Sequence, residues 1–294
     1  MSIPQFQNST IPQSPNLLRW GLEAWRERNA GVEALPHGRI VSGHGDYYHV
    51  VSDEMEGEVI ARKKKSAFLD DGAVKPMTGD FVRWRYNPHG ESMITEVSPR
   101  FSWFVRRDPT ARRKEQTLAV NFDTLFIMMS AVENFSVPRL ERFLALAEDM
   151  GDARAVAVLT KIDLIDGFSL DDFIAENGLT DVGAEFIAVS SRTGAGLDDV
   201  RRYVREGQTV AFVGLSGVGK SSLVNALAGE EWMATQEVQE WSGKGRHTTT
   251  SRELVMLPSG AMVMDTPGIR EIGMVGECDV EHVKGAFSHR WRMK

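Results

Sequence analysis

The strongest candidate for chemistry is a glycine-rich motif in the last third of the chain. Residues 214–221 read G-L-S-G-V-G-K-S, which fits the phosphate-binding pattern G-x-x-x-x-G-K-[ST]. An apolar run, TVAFV, precedes the motif, and a helical pattern, SSLVNALAG, completes it. Glycines let backbone N–H groups turn toward phosphate oxygens at a helix N-terminus, where the helix dipole also favours negative charge. We therefore expect Lys220 to contact the β- and γ-phosphates of a nucleotide and the Ser221 hydroxyl to bind Mg²⁺. The predicted nucleotide contacts are Gly214, Ser216, Gly217, Val218, Gly219, Lys220, Ser221 and Ser222.

The glycine-rich motif alone does not distinguish ATPases, kinases and GTPases. A second group of residues indicates which base is bound. The sequence T-K-I-D, with Thr160, Lys161 and Asp163, follows the apolar run AVAVL. The Asp163 carboxylate can accept two hydrogen bonds from N1 and N2 of guanine, and adenine lacks that pair of donors. Ser190, Ser191 and Arg192 follow another apolar run, EFIAV, and can place a backbone N–H at guanine O6. Each segment is weak evidence by itself, but together they favour GTP.

A third segment, D-T-P-G at residues 265–268, follows the apolar run AMVM. It places the Asp265 carboxylate at a strand end facing the metal and the Gly268 N–H near the γ-phosphate. The pattern D-x-x-G is common, so it supports a GTPase only in company with the other motifs.

The elements that must position these residues alternate between apolar strands and amphipathic helices from about residue 121 onward. This alternation predicts an α/β fold with a largely parallel sheet. Residues 38–105 instead hold about five short strand-like runs separated by turn residues, which predicts a small all-β barrel. We expect an oligonucleotide-binding (OB) barrel, with an SH3-like barrel as the alternative. Before it, Leu18, Leu22 and Trp25 predict one short amphipathic helix behind an arm that lacks periodicity.

The barrel region combines basic clusters with aromatic residues, a composition that suits a polyanion with exposed bases. The clusters are Arg62 to Lys65, Arg83 with Arg85, and Arg106, Arg107, Arg112, Arg113 and Lys114. The interleaved aromatic residues are Tyr47, Tyr48, Phe81, Trp84, Tyr86 and Trp103. In the alternative interpretation, Phe81 and Trp84 pack the barrel core and the charges only solvate its surface.

Composition narrows the class of protein. The chain has 294 residues, which suggests about two domains, and 34 basic against 41 acidic residues give a formal charge of −7. A single cysteine, Cys278, excludes a disulfide scaffold and favours a reducing compartment. No apolar run approaches the roughly 18 residues of a membrane span, and the first residues do not resemble a signal peptide. We therefore expect a cytoplasmic protein that makes no use of a membrane.

The order of the motifs identifies a more specific resemblance. In translation-factor-type GTPases the phosphate-binding loop comes first, whereas here the order is TKID, SSR, GLSGVGKS, RHTTT and DTPG. This order resembles that of a circularly permuted GTPase. The preceding barrel, the loop G-K-G-R-H-T-T-T at residues 243–250 and the junction SPRFSWFVRR together resemble the ribosome small-subunit-dependent GTPase A (RsgA) family over about residues 36–275.

The resemblance implies a GTPase that uses GTP, GDP and Mg²⁺ and binds the small ribosomal subunit late in its assembly. It would hydrolyse GTP when the subunit stimulates it and leave as GDP forms. The barrel would contact ribosomal RNA, and a monomer is expected. The implied fold class is α/β, with a circularly permuted P-loop GTPase domain preceded by a small all-β OB-fold barrel.

The catalytic group departs from a common pattern. Many GTPases place a glutamine after D-x-x-G to orient the attacking water, and this chain has Ile269 there. His247, in the switch-like loop, is the candidate for positioning that water, and the resemblance implies that this histidine has a role in hydrolysis. Thr249 is the threonine most expected to meet Mg²⁺ and the γ-phosphate, so His247, Lys220 and Thr249 form the predicted catalytic set. The predicted metal ligands are Ser221, Thr249 and Asp265.

Two further departures from the family concern the base pocket and the C-terminus. Thr160 stands where the motif N-K-x-D has asparagine, which alters one polar contact in the guanine pocket. Family members usually hold zinc through three cysteines and a histidine, whereas Cys278, His282 and His289 are the only such residues near this C-terminus. A closed zinc site needs four ligands, so we expect no zinc site of the family type.

These observations divide the chain into four predicted parts. They are an arm and short helix (1–36), the OB-fold RNA-binding barrel (37–107), the permuted GTPase domain (108–275) and a tail (276–294) that remains from the zinc domain. The leading function is GTP hydrolysis on the small subunit. The alternatives are a GTP-switched RNA-binding module with negligible hydrolysis, and a P-loop ATPase or kinase.

Overall fold

The computed structural model describes residues 16–68, 74–107, 115–133, 135–229 and 252–265. The first described elements are two short helices, α1 (Asn16–Arg19) and α2 (Leu22–Arg28). The prediction of one helix here is wrong, because Gly21 between them adopts the left-handed conformation (φ 83°) and breaks the helix. A Cβ at Gly21 would lie 2.8 Å from the carbonyl oxygen of Gly207, so the close packing at this break requires glycine.

The next five strands close into a barrel. They are β1 (Gly38–His44), β2 (Tyr47–Val51), β3 (Glu58–Lys63), β4 (Phe81–Arg85) and β5 (Ser92–Val97). Their order is β1-β2-β3-β5-β4, and β4 pairs back onto β1. The β3–β5 pair is parallel and the other pairs are antiparallel. This closed five-stranded ring confirms the predicted OB-type barrel, and its interior is filled by Ile40, Tyr48, Val50, Ala61, Val82, Trp84 and Ile94.

A hairpin connects the barrel to the second domain. Its strands, β6 (Trp103–Arg107) and β7 (Glu115–Val120), form a separate two-stranded antiparallel sheet. The hairpin leads directly into the first strand of the α/β sheet.

The second domain confirms the predicted α/β alternation. Its strands are β8 (Thr124–Ser130), β9 (Arg154–Thr160), β10 (Glu185–Val189), β11 (Thr209–Gly214), β12 (Arg252–Met256) and β13 (Met262–Asp265). Its helices are α3 (Val137–Ala147), α4 (Leu170–Glu176), α5 (Leu197–Arg201) and α6 (Lys220–Ala228). The strand order is β10-β9-β8-β11-β13-β12, and every neighbouring pair is parallel except β13 with β12.

Both faces of this sheet are buried, as is usual for parallel sheets. In β8, Leu125 and Ile127 pack into one apolar cluster, and Phe126 and Met128 pack into the cluster on the opposite face. Alternate side chains of a strand point to opposite faces, so a strand that is buried throughout has a continuous apolar sequence.

The topology fixes where a ligand can bind. From β8 the chain moves outward to β9 and β10, and then returns to β11 on the other side of β8. The strand order therefore reverses between β8 and β11. In open α/β sheets, ligands bind at the carboxyl ends of the strands at such a reversal. The glycine-rich motif follows β11 and so starts at this point.

The barrel and the α/β domain share one continuous sheet. Strand β1 pairs antiparallel with β12, with Ser42 opposite Glu253 and Gly43 opposite Arg252. The Thr78 hydroxyl adds a bond to the carbonyl oxygen of Arg252 (3.0 Å). The two domains thus meet through backbone pairing as well as through side chains.

A buried arginine completes this junction. Arg39 on β1 is only 1% exposed, and its guanidinium lies over the ring of Phe81, 4.6 Å from the centroid. It donates to the carbonyl oxygens of Trp20 (2.5 Å) and Asn121 (2.9 Å) and to the hydroxyl of Thr209 (3.0 Å). One side chain therefore bonds to the N-terminal helical segment and to two positions in the α/β domain.

Candidate nucleotide-binding site

The phosphate-binding loop has the backbone that the sequence predicts. Gly217 (φ 74°) and Gly219 (φ 100°) are in the left-handed region, and Gly219 caps the N-terminus of α6. Gly214 requires glycine for a different reason, since a Cβ there would lie 2.7 Å from the carbonyl oxygen of Met128 on β8. The loop therefore passes close to β8 and ends where α6 begins.

The exposure of the loop residues fits a ligand site. Ser216 and Gly217 are exposed, whereas Val218 is buried and anchors the loop in the core. Lys220 and Ser221, the first two residues of α6, are half-buried. Residues at a helix N-terminus present backbone N–H groups outward, so this end of α6 suits phosphate oxygens.

Thr160 joins the base-recognition segment to the phosphate-binding loop. It is the last residue of β9, it is 3% exposed, and its hydroxyl lies 2.7 Å from the carbonyl oxygen of Val218. A second carbonyl oxygen, that of Met129, lies 3.3 Å from the same hydroxyl. The hydroxyl therefore donates within the protein and links the end of β9 to the predicted phosphate-binding loop.

Asp163, the acid that is predicted to recognise the base, is held by a neighbouring loop. The Ser190 hydroxyl donates to Asp163 Oδ1 (2.6 Å), and Ser190 itself is fully buried. The same hydroxyl accepts the backbone N–H of Thr193 (3.1 Å). Arg192 lies 3.9 Å from Asp163 Oδ2, but its side chain is 81% exposed. The Asp163 carboxylate is thus fixed on one side by a buried hydroxyl.

This loop after β10 is shaped by its glycines. Gly194 and Gly196 both have positive φ, and a Cβ at Gly196 would lie 1.9 Å from the carbonyl oxygen of Ala188. The backbone N–H of Ser190 donates to the carbonyl oxygen of Ala195 (2.9 Å), which closes the loop on itself. The turn brings Ser190 back beside the end of β9.

Lys161 is held by a residue that the sequence did not indicate. Its backbone is left-handed (φ 61°), and its ammonium Nζ lies 2.8 Å from Glu133 Oε2. The hydrogen bond from Lys161 lowers the pKa of Glu133 below its ordinary value. Glu133 lies 28 positions earlier in the chain, so local patterns could not reveal the pairing.

The structure brings together three of the predicted groups of site residues. The segments 160–163 and 190–192 lie at the carboxyl ends of the adjacent parallel strands β9 and β10. The phosphate-binding loop lies at the carboxyl end of β11, which β8 separates from β9. Asp265 ends β13 at the same edge of the sheet, and its side chain lies outside the described part of the chain. His247, Thr249 and Gly268, and the tail residues Cys278, His282 and His289, also lie outside the described residues.

The described residues fit a nucleotide phosphate with its metal. Left-handed glycines and the N-terminus of α6 form the cradle, and the Ser221 hydroxyl is the oxygen ligand that Mg²⁺ prefers. Within the described ranges, no group of three His, Cys, Asp or Glu residues is arranged to hold a metal ion. Mg²⁺ commonly binds to proteins through one or two side-chain oxygens together with the phosphates of a substrate.

The barrel surface differs from the sequence prediction in its aromatic residues. Phe81, Trp84 and Tyr48 are buried in the structure, as the alternative interpretation held for the first two. Tyr47 is 48% exposed, and the guanidinium of Arg62 lies 5.1 Å from its ring centroid.

Several of the predicted cations on the barrel are paired with carboxylates. The pairs are Arg62 with Glu91 (2.9 Å), Lys63 with Asp46 (2.8 Å) and Arg83 with Glu96 (3.4 Å). The side chains of Arg106 and Arg107, and all of residues 112–114, lie outside the described part. The described barrel face is therefore aromatic and mixed in charge rather than uniformly basic.

Comparison with known proteins agrees with the permuted arrangement. The chain matches the model of the RsgA GTPase family over residues 97–275. Small ribosomal subunit biogenesis GTPase RsgA 2 from Lactiplantibacillus plantarum is 40% identical over 258 residues, which cover 87% of this chain and 72% of that protein. A small ribosomal subunit biogenesis GTPase RsgA from Methanosarcina acetivorans is 36% identical over 284 residues, covering 96% and 74%.

Solved structures are similar as well. The crystal structure of YjeQ from Thermotoga maritima aligns with a TM-score of 0.58 and 25% identity, over 81% of this chain and 76% of that one. The structure of YloQ, a circularly permuted GTPase, shares the fold with a TM-score of 0.53 and 24% identity, over 80% and 72%. The predicted fold, a permuted GTPase domain behind a barrel, is confirmed.

No helix within the described ranges is both long and apolar enough to span a bilayer.

Proposed function

Because this chain belongs to the RsgA GTPase family, we propose that it hydrolyses GTP and acts in the biogenesis of the small ribosomal subunit. The observation that carries the proposal is that a loop suited to phosphate and an acid suited to guanine lie at the same edge of the sheet. The phosphate cradle at α6 and Asp163, whose carboxylate accepts from Ser190 and suits a base with two adjacent donors, both follow parallel strands of one sheet. Relatives that carry the function in their names match the chain over most of its length.

The described residues have distinct parts in the proposed reaction. The backbone of residues 214–219 surrounds the phosphates, and Lys220 places its charge near the β- and γ-phosphates. The Ser221 hydroxyl would hold Mg²⁺, which neutralises phosphate charge when it is bound. Asp163 selects guanine through its carboxylate. These residues bind and orient GTP, which matters because phosphoryl transfer depends mainly on positioning and charge stabilisation.

The remaining parts of the reaction are proposed from the sequence. His247 positions the attacking water, Thr249 and Asp265 complete the metal site, and the Gly268 N–H faces the γ-phosphate. Ile269 cannot hydrogen-bond to water, so the chain needs a polar group from another segment. A histidine beside three threonines supplies one.

The partner and the setting extend the proposal. The barrel contacts ribosomal RNA, for which exposed Tyr47 with Arg62 above its ring offers a flat surface to an unpaired base. The protein works as a monomer in the cytoplasm and leaves the subunit as GDP forms. The division between the barrel and the GTPase domain at about residue 107 remains a prediction from the sequence.

The test separates an enzyme from a GTP-switched binding module. Turnover of GTP is measured with and without small ribosomal subunits for the natural chain, for His247→Ala and for Asp198→Ala as a control at an exposed residue of α5. We expect His247→Ala to abolish the stimulated turnover and to keep GDP binding, while Asp198→Ala keeps stimulated turnover. Subunit binding without any stimulated turnover in the natural chain would favour the binding module.

A further inference from the structure

The loop after β8 places a carboxylate beside the base-recognition segment. Strands β8 and β9 are parallel neighbours, with Ser130 opposite Thr160 at their ends. The backbone N–H of Ala131 donates to the carbonyl oxygen of Thr160 (2.9 Å), which continues the pairing past the last strand residue. The backbone N–H of Glu133 then donates to the Ser130 hydroxyl (3.1 Å) and closes a tight turn.

This turn fixes the position from which Glu133 reaches its partner. Ser130 is 7% exposed, so the hydroxyl that holds the turn is itself part of the packed sheet. The Glu133 carboxylate lies 2.8 Å from Lys161 Nζ. The Glu133 backbone is therefore held by the Ser130 hydroxyl, and the turn that carries it bonds to Thr160, the residue before Lys161.

Lys161 occupies a sensitive place in the site. The residue before it, Thr160, bonds to the phosphate-binding loop. Asp163, two positions after it, is the acid that is proposed to bind the base. A lysine side chain has four rotatable carbon–carbon bonds and samples many rotamers unless something restrains it. A nucleotide that binds beside an unrestrained lysine has to restrict that freedom and loses affinity in doing so.

We propose that Glu133 is a positioning residue that holds the Lys161 side chain ready for a guanine nucleotide. The proposal rests on the proposed function, because it assumes that segment 160–163 binds the base. Glu133 touches Lys161 rather than the nucleotide in this account. Its carboxylate keeps its charge at neutral pH, since the bond from Lys161 favours the ionised form.

The test compares two acids that make similar ion pairs at different places. Glu133→Ala removes the partner of Lys161, and Asp198→Ala removes the exposed partner of Arg201 (2.7 Å) on α5. The dissociation constant for GDP, the KM and kcat for GTP, and the melting temperature without nucleotide are measured for each. A third variant, Glu133→Gln, keeps an amide oxygen that can accept from Lys161 but lacks the charge.

We expect Glu133→Ala to raise the GDP dissociation constant and the KM by about two- to fivefold. The effect is small because exposed ion pairs contribute little free energy. The kcat and the melting temperature stay unchanged, Glu133→Gln falls between, and the effect shrinks at high salt. Asp198→Ala leaves nucleotide binding unaltered. Equal binding by Glu133→Ala and Asp198→Ala, or tighter binding by Glu133→Ala, would overturn the proposal.

The same experiment separates this inference from the proposed function. If the natural chain does not prefer GDP to ADP, the proposed function fails whatever Glu133 does. If the natural chain prefers GDP and Glu133→Ala binds it equally well, only the role of Glu133 fails.

Discussion

The junction between the domains and the nucleotide edge of the sheet are built in opposite ways. At the junction, the Arg39 guanidinium is almost fully buried, and its donors reach carbonyl and hydroxyl oxygens of the protein. At the nucleotide edge, Ser216 and Gly217 are exposed and the backbone is held in the left-handed region by glycine. The polar groups at the junction bond to other groups of the protein, whereas those at the nucleotide edge are accessible to a ligand.

The contrast shows how a single sheet serves two purposes. Buried polar groups have to be paired inside the protein. Burial lowers the pKa of Arg39 only to about 10, and the guanidinium therefore keeps its charge at neutral pH. Groups that bind a ligand have to remain accessible but restrained. Residues that support that edge, among them Thr160 and Ser190, are buried. Substitutions at the junction should therefore change stability, and substitutions at the edge should change nucleotide binding.

The largest expected effect comes from the junction. Arg39→Met leaves the two carbonyl oxygens and the hydroxyl to which Arg39 bonds without their donor, so we expect the free energy of unfolding to fall by about 3 kcal/mol. Urea unfolding measures the change. The control is Arg83→Met on β4, whose arginine is an exposed partner of Glu96, and its effect should stay within about 0.5 kcal/mol. Equal losses in the two variants would contradict the account of the junction.

The next effect belongs to the base pocket. Asp163→Asn keeps an oxygen for the Ser190 hydroxyl but sets an amide N–H against the donors of guanine, so GDP affinity should fall roughly 10- to 100-fold. Equilibrium titration with GDP measures it, and the thermal midpoint without nucleotide should stay close to that of the natural chain. Asp166→Asn, at an exposed acid in the same loop, is the control and should bind normally. A normal GDP affinity in Asp163→Asn would place the base elsewhere.

A smaller effect tests the link between the two halves of the site. Thr160→Val removes the hydroxyl that bonds to the Val218 carbonyl and keeps the shape of the side chain. We expect a loss of about 1 kcal/mol, or about fivefold in GDP affinity, since one buried bond is lost. Thr160→Ser keeps the hydroxyl and should restore most of the affinity. If both variants bind alike, the bond does not position the loop.

The smallest effect concerns the exposed barrel face and is a pH dependence. His49 Nδ1 lies 3.0 Å from Glu58 Oε2, and this hydrogen bond raises the pKa of His49 above its ordinary value of 6.5. The stabilisation is complete below about pH 6.5 and is lost as the pH rises through the folded-state pKa. Because the pair is largely exposed, we expect less than about 1 kcal/mol. Urea unfolding across this pH range should show the decline, and Glu58→Gln should remove it.

The sequence predicts those parts of the fold that depend on local patterns. Apolar runs followed by motif residues placed the phosphate-binding loop, Asp163 and Ser190 at one edge of a parallel sheet, because parallel strands share the edge at which they end. Short alternating runs likewise predicted the barrel. Two errors were also local, since Gly21 splits the predicted helix and Tyr48 lies inside the barrel rather than on its surface.

The contacts that a sequence alone could not predict join distant segments. Arg39 bonds to Asn121, which lies 82 positions away in the chain. Glu133, after β8, forms an ion pair with Lys161, after the neighbouring strand β9. In isolation the sequence around Arg39 resembles a surface strand. Its position in the interior depends on distant segments, since its guanidinium bonds to Trp20, Asn121 and Thr209.

The most direct test of the central claim is hydrolysis of GTP and ATP by the purified chain, with and without small ribosomal subunits at one fixed salt concentration. The salt has to be fixed because binding to a polyanion depends on it. We predict slow turnover of GTP that rises strongly with subunits, and little turnover of ATP. Turnover of ATP equal to that of GTP, or GTP turnover that subunits leave unchanged, would contradict a subunit-dependent GTPase.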